Sequence, residues 1–254
     1  VLRCFEDNDI THVEGRIDPV SDAETVDTEL MLSDLDSLER RVVPLRKRAQ
    51  GGDKDIKEQV ELMDLALEAL RDGRPARTAS VPKGSEAAFN ALNLLTSKPV
   101  LYVCNVEEAA AATGNSQSAR VFEMAERLGA KAVVISAAIE AEVAQLDDAE
   151  QKEFLETLGL EEPGLDRLIR AGYELLGLIT YFTVGPKETR AWTIVKGTKA
   201  PQAAGVIHTD FERGFIRAQT IAFDDFIAYG GEHGAKEAGK MRAEGKDYVV
   251  KDGD

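Results

Sequence analysis

The chain has 254 residues, 43% of them hydrophobic and only 6% aromatic, which is enough to bury one sizeable core and a second smaller one, so two domains are expected. Asp plus Glu number 46 against 31 Lys plus Arg, and the net charge of -15 argues against a protein that coats nucleic acid over its whole surface, while leaving local basic patches open. No stretch reaches the roughly 18 apolar residues of a membrane span, the segment from Val1 does not read as a signal peptide, and the two cysteines, Cys4 and Cys104, lack the spacing of a disulfide framework or a zinc site, so a cytoplasmic protein is expected.

In chain order, Val1 to Phe5 reads as a strand entered partway, and there is no initial Met, so the sequence is expected to be a piece of a longer one. From Asp27 to Asp72 apolar residues fall at Met31, Leu35, Leu38, Val42, Leu45 and Ala49, then at Ile56, Val60, Met63, Leu67 and Leu70. This alternating spacing of four and three, on both sides of Gly51-Gly52-Asp53, predicts an antiparallel helical hairpin of coiled-coil type. Asp53 can cap the second arm, and Pro44, which has no backbone donor, predicts a kink in the first. Two ordinary amphipathic helices packed on a globular body fit the same pattern. Around the turn lie Arg40, Arg41, Arg46, Lys47, Arg48, Lys54 and Lys57, against Asp53 and Asp55. Such a run is either a solvated face or a projecting positive tip suited to RNA phosphate.

From Ser85 to about Ala144 the order is helix, strand (Val100 to Cys104), helix (about Ser116 to Leu128), strand (Lys131 to Ser136) and helix. This alternation, with both strands nearly all apolar, predicts parallel strands buried under helices, and in such sheets ligands bind beyond the carboxyl ends of the strands. Asn105 and Ser136 hold that position. An Asn after a strand is by itself an ordinary turn or cap residue.

Further on, Leu178 to Val184 and Thr189 to Val195 read as two strands joined at Gly185-Pro186, Ala200 to His208 as a short helix and Phe215 to Ala222 as a third strand. Trp192, Phe211 and Phe215 read as core residues. His208 stands beside Thr209 and Asp210, but no nucleophile motif accompanies it, so a structural hydrogen bond is expected and no catalysis.

A strand ending in Asn105-Val106-Glu107-Glu108 and a later strand ending in Ser136-Ala137-Ala138 together resemble the two base-recognition loops of P-loop GTPases, Asn-Lys-x-Asp and Ser-Ala-Lys. The resemblance implies that Asn105 braces the loops, Glu108 stands where the base-reading Asp would be, and backbone amides around Ala137 approach the purine. Val106 replaces Lys, Glu108 replaces Asp, and Ala138 replaces the Lys of the second loop. Guanine offers two adjacent N–H donors that one carboxylate accepts together, whereas adenine offers a donor beside a ring acceptor that repels a carboxylate. A Glu, one methylene longer, cannot hold the same two bonds in place, and a lost buried partner removes discrimination on the order of 10⁴. Guanine specificity is therefore expected to be weak, with adenine pairing to main-chain groups near Val106.

The wider sequence resembles one family, the YchF or Obg-like ATPases of the translation-factor class of P-loop NTPases. Matching segments include VLRCFEDNDITHVEGRIDPVSDAETVDTEL, GGDK at the hairpin tip, NVEE, LGLEEPGLDRLIRAGYELLGLITYFTVG and APQAAGVIHTDFERGFIRAQTIAF. The resemblance implies an α/β fold: part of a P-loop NTPase parallel sheet at residues 1–26 and 84–170, a helical hairpin inserted at 27–83, and a small ubiquitin-like β-grasp (TGS) domain at 171–254. It also implies ATP as the nucleotide in preference to GTP, association with the ribosome or ribosomal RNA, and a monomer in the cytoplasm, away from membranes and DNA.

No G-x-x-x-x-G-K-S/T occurs in the chain, so the loop that holds phosphates and magnesium is missing from it. The family carries that loop and its Mg ligands before the position of Val1, and continues after Asp254 into a last apolar strand. The full-length parent is thus expected to be an ATPase, and this chain to be inactive, with no catalytic residue and no metal ligand. Its assigned site residues are Asn105, Val106, Glu108, Ser136, Ala137 and Ala138 for the base, and Arg40, Arg41, Arg46, Lys47, Arg48 and Lys54 for RNA. A ribosome- or RNA-binding module without turnover, or a GTPase of the same class, are the alternatives.

Overall fold

In the computed structural model residues 1–7 and 15–254 are described, so the stretch 8–14 of the first family-like segment lies outside the described residues. The chain divides into two compact units, Val1–Ala171 and Gly172–Asp254.

The first unit is built on a three-stranded parallel sheet of β1 (Leu2–Arg3), β2 (Leu101–Asn105) and β3 (Lys131–Ile135), in the order β1-β2-β3. Helix α1 (Pro19–Ala49) starts eight residues before the expected hairpin, because Asp18 accepts a hydrogen bond from the Ser21 amide and Pro19 stands in the first turn, where a missing N–H costs nothing. It runs unbroken through Pro44, which is exposed. Helix α2 (Lys54–Arg71) returns after Gly52, whose φ of +89° makes the turn, and Asp53 caps it by accepting from the Asp55 and Ile56 amides.

All eleven apolar positions of the expected seam lie in one core cluster, with Leu38, Val42, Val60, Met63, Leu67 and Leu70 fully buried. The hairpin is not free-standing along its length. Phe89, at the end of the short α3 (Glu86–Asn90), joins this cluster with Leu92 and Leu94. The segment is fastened by Asp34, a carboxylate only 4% exposed that accepts from the Leu95 amide and from both the amide and the hydroxyl of Thr96. Helix α4 (Ser116–Arg127) crosses between β2 and β3 and buries Val121, Met124 and Ala125 in the core under the sheet. After β3 follow α5 (Ala137–Val143), α6 (Asp148–Thr157) and α7 (Gly164–Leu176).

In the second unit β4 (Leu178–Val184) and β5 (Thr189–Val195) form an antiparallel hairpin in register Leu178 to Val195, as expected. Helices α8 (Ala200–Ile207) and α9 (Thr209–Gly214) follow, then β6 (Ala218–Thr220), α10 (Phe223–Ala228), α11 (Glu232–Glu237) and β7 (Arg242–Glu244). The third strand is shorter than read from the sequence, because its partner β7 is only three residues long and Phe215 still closes the turn of α9 through Glu212. The strands form two separate pairs, β4-β5 and β6-β7. The last residues run beside β4, with Gly253 donating to the Thr180 carbonyl at 2.8 Å and Phe182 donating to the Asp254 carbonyl at 2.9 Å.

Trp192 and Phe215 pack against the core of Ile179, Tyr181, Ile194 and Ala203, whereas Phe211 is 54% exposed, on a six-residue helix that buries nothing. His208 makes the expected structural bond: it caps α9, its Nδ1 accepting from the Asp210 amide. An apolar groove of about 610 Å³ opens beside β4, lined among others by Phe182, Val184, Phe223 and Ile227.

Candidate nucleotide-base site

Parallel pairing of β2 with β3 sets Asn105 opposite Ile135, so both strands end at the same level and their following loops meet. Asn105 Oδ1 accepts a hydrogen bond from the Ala137 amide at 2.9 Å, tying the first loop to the second across 32 residues of sequence. The Asn105 carbonyl accepts from the Cys4 amide at 2.8 Å, so β1 supports the same residue from its other side.

The remaining candidates fall into different environments. Glu108 is exposed at the start of a single 3-10 turn, Glu108–Ala110, and its carboxylate has no protein partner among the described residues, so it is available to a ligand. Ala137 and Ala138 are exposed at the start of α5. Ser136 is 1% exposed and its hydroxyl has no partner among the described residues.

Val106 does not present a side chain: it is 3% exposed within the core, and its amide donates to the Ile135 carbonyl at 2.9 Å. Of its main-chain groups the amide is thus engaged within the protein. Its position follows from β2–β3 pairing continuing one residue beyond the strand.

Five residues that sequence reasoning gave no role complete the frame. Asn115 caps α4, its Oδ1 accepting from Gln117 and Ser118, while its Nδ2 donates to the Cys4 carbonyl at 2.6 Å and to Glu107 Oε2 at 2.8 Å. The pattern Asn115-x-x-Ser118 was a legible capping signal; its outward bonds were not. Glu107 is thereby turned back to the protein, leaving Glu108 as the open carboxylate of the loop. Cys4 and Cys104 are both buried and free; the bond from Cys104, with burial, pushes the Cys4 thiol up, and the same bond holds Cys104 down. Glu140 of α5 accepts from the first amides of α7.

The basic residues of the hairpin also separate. Arg40 pairs with Asp36, Arg46 with Asp64, and half-buried Arg41 donates to the Leu92 carbonyl at 3.0 Å. Lys47, Arg48, Lys54 and Lys57 are exposed and without an ion pair among the described residues, so they form the positive end of the hairpin.

No helix of the chain is long and apolar enough to cross a membrane among the described residues. A family model, YchF-GTPase_C, described as a protein of unknown function, matches residues 178–254. Proteins described as ribosome-binding ATPase YchF are similar over the whole chain: 54% identical in Haemophilus ducreyi, 56% in Pasteurella multocida and 50% in Bacillus subtilis, with 70% of each relative covered. A solved structure described as the YchF GTPase of Schizosaccharomyces pombe superposes with a TM-score of 0.84 at 34% identity, over 99% of this chain and 69% of that one.

Proposed function

We propose, because the chain belongs to the YchF family, that it serves a ribosome-associated nucleotide-binding protein which in full-length form hydrolyses ATP in preference to GTP. This chain supplies base recognition from residues 1–26 and 84–170, the projecting hairpin from 27–83, and a TGS domain from 171–254. The observation that carries the reading is the bond from the Ala137 amide to Asn105 Oδ1, because it brings the two loops of a purine site to one place. Asn105 Oδ1 is then a brace between the loops, while its Nδ2, which has no partner among the described residues, is left to donate to a base. With it, the open carboxylate of Glu108 and the exposed amide region of Ala138 are the groups left to meet a base.

A main-chain carbonyl of the loop near Val106 would bear on nucleotide choice. A carbonyl accepts from the exocyclic amine of adenine, whereas the oxygen at the same ring position of guanine would face it acceptor to acceptor. That supports ATP over GTP through main chain, with Glu108 too long to hold the two guanine donors as an Asp would. Phosphate and magnesium contacts dominate binding in this chemistry. The sequence has no G-x-x-x-x-G-K-S/T, and among the described residues no group of three His, Cys, Asp or Glu could hold a metal, so no magnesium ligand is assigned to this chain.

Calorimetry separates the elements of this reading. The full-length protein should bind Mg-ATP more tightly than Mg-GTP, and the 254-residue chain alone should bind either very weakly. Tighter binding of GTP by the full-length protein would overturn the ATP assignment in favour of a GTPase, the reading supported by the description of the S. pombe relative. Micromolar binding by the chain alone would overturn the dependence on the phosphate loop.

A further inference from the structure

The first base loop leads into Ala111 and the second into α5, and the start of α7 touches both. Glu140 Oε1 accepts from the Gly164 amide at 2.7 Å and Glu140 Oε2 accepts from the Leu165 amide at 3.1 Å, so one carboxylate holds two amides that a helix start leaves without partners. The approach is close: a Cβ on Gly164 would lie 2.6 Å from Glu140 Oε1 and 3.1 Å from Ile135 Cγ2, so where the end of β3, α5 and α7 meet, any larger residue would press on the Glu140 carboxylate. One turn further, Arg167 donates from Nη1 to the Ala111 carbonyl at 3.5 Å.

Helix α5 needs this support. It is seven residues long, Ser136 gives it no side-chain cap, and its first residue is Ala137, whose amide is the donor to Asn105. Its apolar side is held by burial of Ile139 and Val143 with Ala111, Leu155 and Leu160, which keeps the helix attached but does not fix its rotation. The two directed bonds of Glu140 do.

We propose that Glu140 is a positioning residue for base recognition: clasped to the first turn of α7, it fixes α5 and so holds the Ala137 amide, and with it Asn105 and both base loops, in register. This inference rests on the base-site reading above and deepens it, since it assigns selectivity to a residue that touches no ligand.

The test uses the full-length protein and two ligands, Mg-ATP and ribose 5'-triphosphate, which has the phosphates but no base. For Glu140→Ala the affinity for Mg-ATP is expected to fall about tenfold, because small misplacement of positioning groups carries large effects, while the affinity for ribose triphosphate stays unchanged. The second ligand reports general loss of folding in the same sample. Glu140→Gln should recover part of the loss, since its carbonyl oxygen still accepts one amide, Glu140→Asp should recover none, being one methylene too short, and Gly164→Ala should reproduce the alanine variant by forcing the clasp apart. Equal loss for both ligands, or no loss for either, overturns the positioning role. If the wild type itself binds ATP no better than ribose triphosphate, the base-site reading falls and this inference with it.

Discussion

Asp34 and Thr96 are joined by two bonds to one carboxylate oxygen, the Thr96 amide donating to Asp34 Oδ2 at 2.8 Å and the Thr96 hydroxyl at 2.7 Å, while Oδ1 takes the Leu95 amide at 2.8 Å. A buried carboxylate on the first hairpin arm therefore fastens the segment that leads into β2, and with it the strand that ends at Asn105. Seven residues along the same face Arg41 holds the Leu92 carbonyl. Asp34→Ala should destabilise the first unit by about 2 kcal/mol, because it leaves the buried Thr96 amide without an acceptor and takes the acceptor from the Thr96 hydroxyl, whose oxygen keeps only the bond from the Ala76 amide. Urea denaturation measures this, and a loss smaller than about 1 kcal/mol would mean that water replaces the carboxylate.

The positive tip should carry ribosome contact. A chain of net charge -15 is repelled by phosphate on average, so a productive approach needs a place where the sign reverses. Lys47, Arg48, Lys54 and Lys57, exposed and without an ion pair among the described residues, are such a place. Replacing Lys47, Arg48 and Lys54 by Glu should lower ribosome co-sedimentation and flatten its salt dependence, because fewer counterions are released. Nucleotide affinity should not change. Arg46 is left out of the reversal because it is paired with Asp64. Co-sedimentation that survives the reversal would move the contact to the second unit.

Base preference should respond to Glu108 alone. In the full-length protein Glu108→Asp should shift the ratio of ATP to GTP affinity toward GTP, by bringing a carboxylate to the distance at which it accepts both guanine donors. Adding Val106→Lys is expected to damage the fold, because the position is 3% exposed and a buried ammonium without a partner costs several kcal/mol. Competition binding gives the ratio and thermal unfolding the damage. An unchanged ratio in the single variant would remove Glu108 from the base site.

The start of α1 should be acid-sensitive. Burial presses the Asp18 carboxyl up, but the Ser21 amide and the Arg120 guanidinium outweigh it, so it lies below its ordinary value of 3.8. A carboxyl depressed in the folded state binds fewer protons folded than unfolded; its stabilisation is present above the unfolded value and is lost as pH falls through the folded one. The difference in unfolding midpoint between wild type and Asp18→Asn should thus be constant above about pH 5 and shrink toward zero in stronger acid. A difference that does not change across that range would assign the cap no carboxylate contribution.

Some of the molecule was legible because its cause is local. A seam at intervals of three and four places side chains on one face of any helix, so the eleven core positions of α1 and α2 could be named from the sequence, and the Gly51-Gly52-Asp53 turn with them. Two apolar runs separated by a helix point to parallel strands for the same reason. The early start of α1 is equally legible in Asp18-Pro19, a cap followed by proline, although the apolar periodicity begins only later.

What the sequence by itself determined was which residues stand at strand ends and helix faces; only the tertiary structure decided what each of them binds. Asn105 is at a strand end on either ground, but its bond to Ala137 exists because β2 and β3 pair in one register. Val106 reads as a loop residue and is a core residue, because pairing runs on past the strand. Arg41 and Arg46 read as part of a basic run, and folding gave each of them a protein partner. Glu140 carried no signal at all. Periodicity comes from the backbone geometry of neighbours in the chain, whereas a hydrogen-bond partner is chosen among groups brought together from distant positions, and the stretch between Glu140 and Gly164, 24 positions apart, holds no pattern that states they will meet.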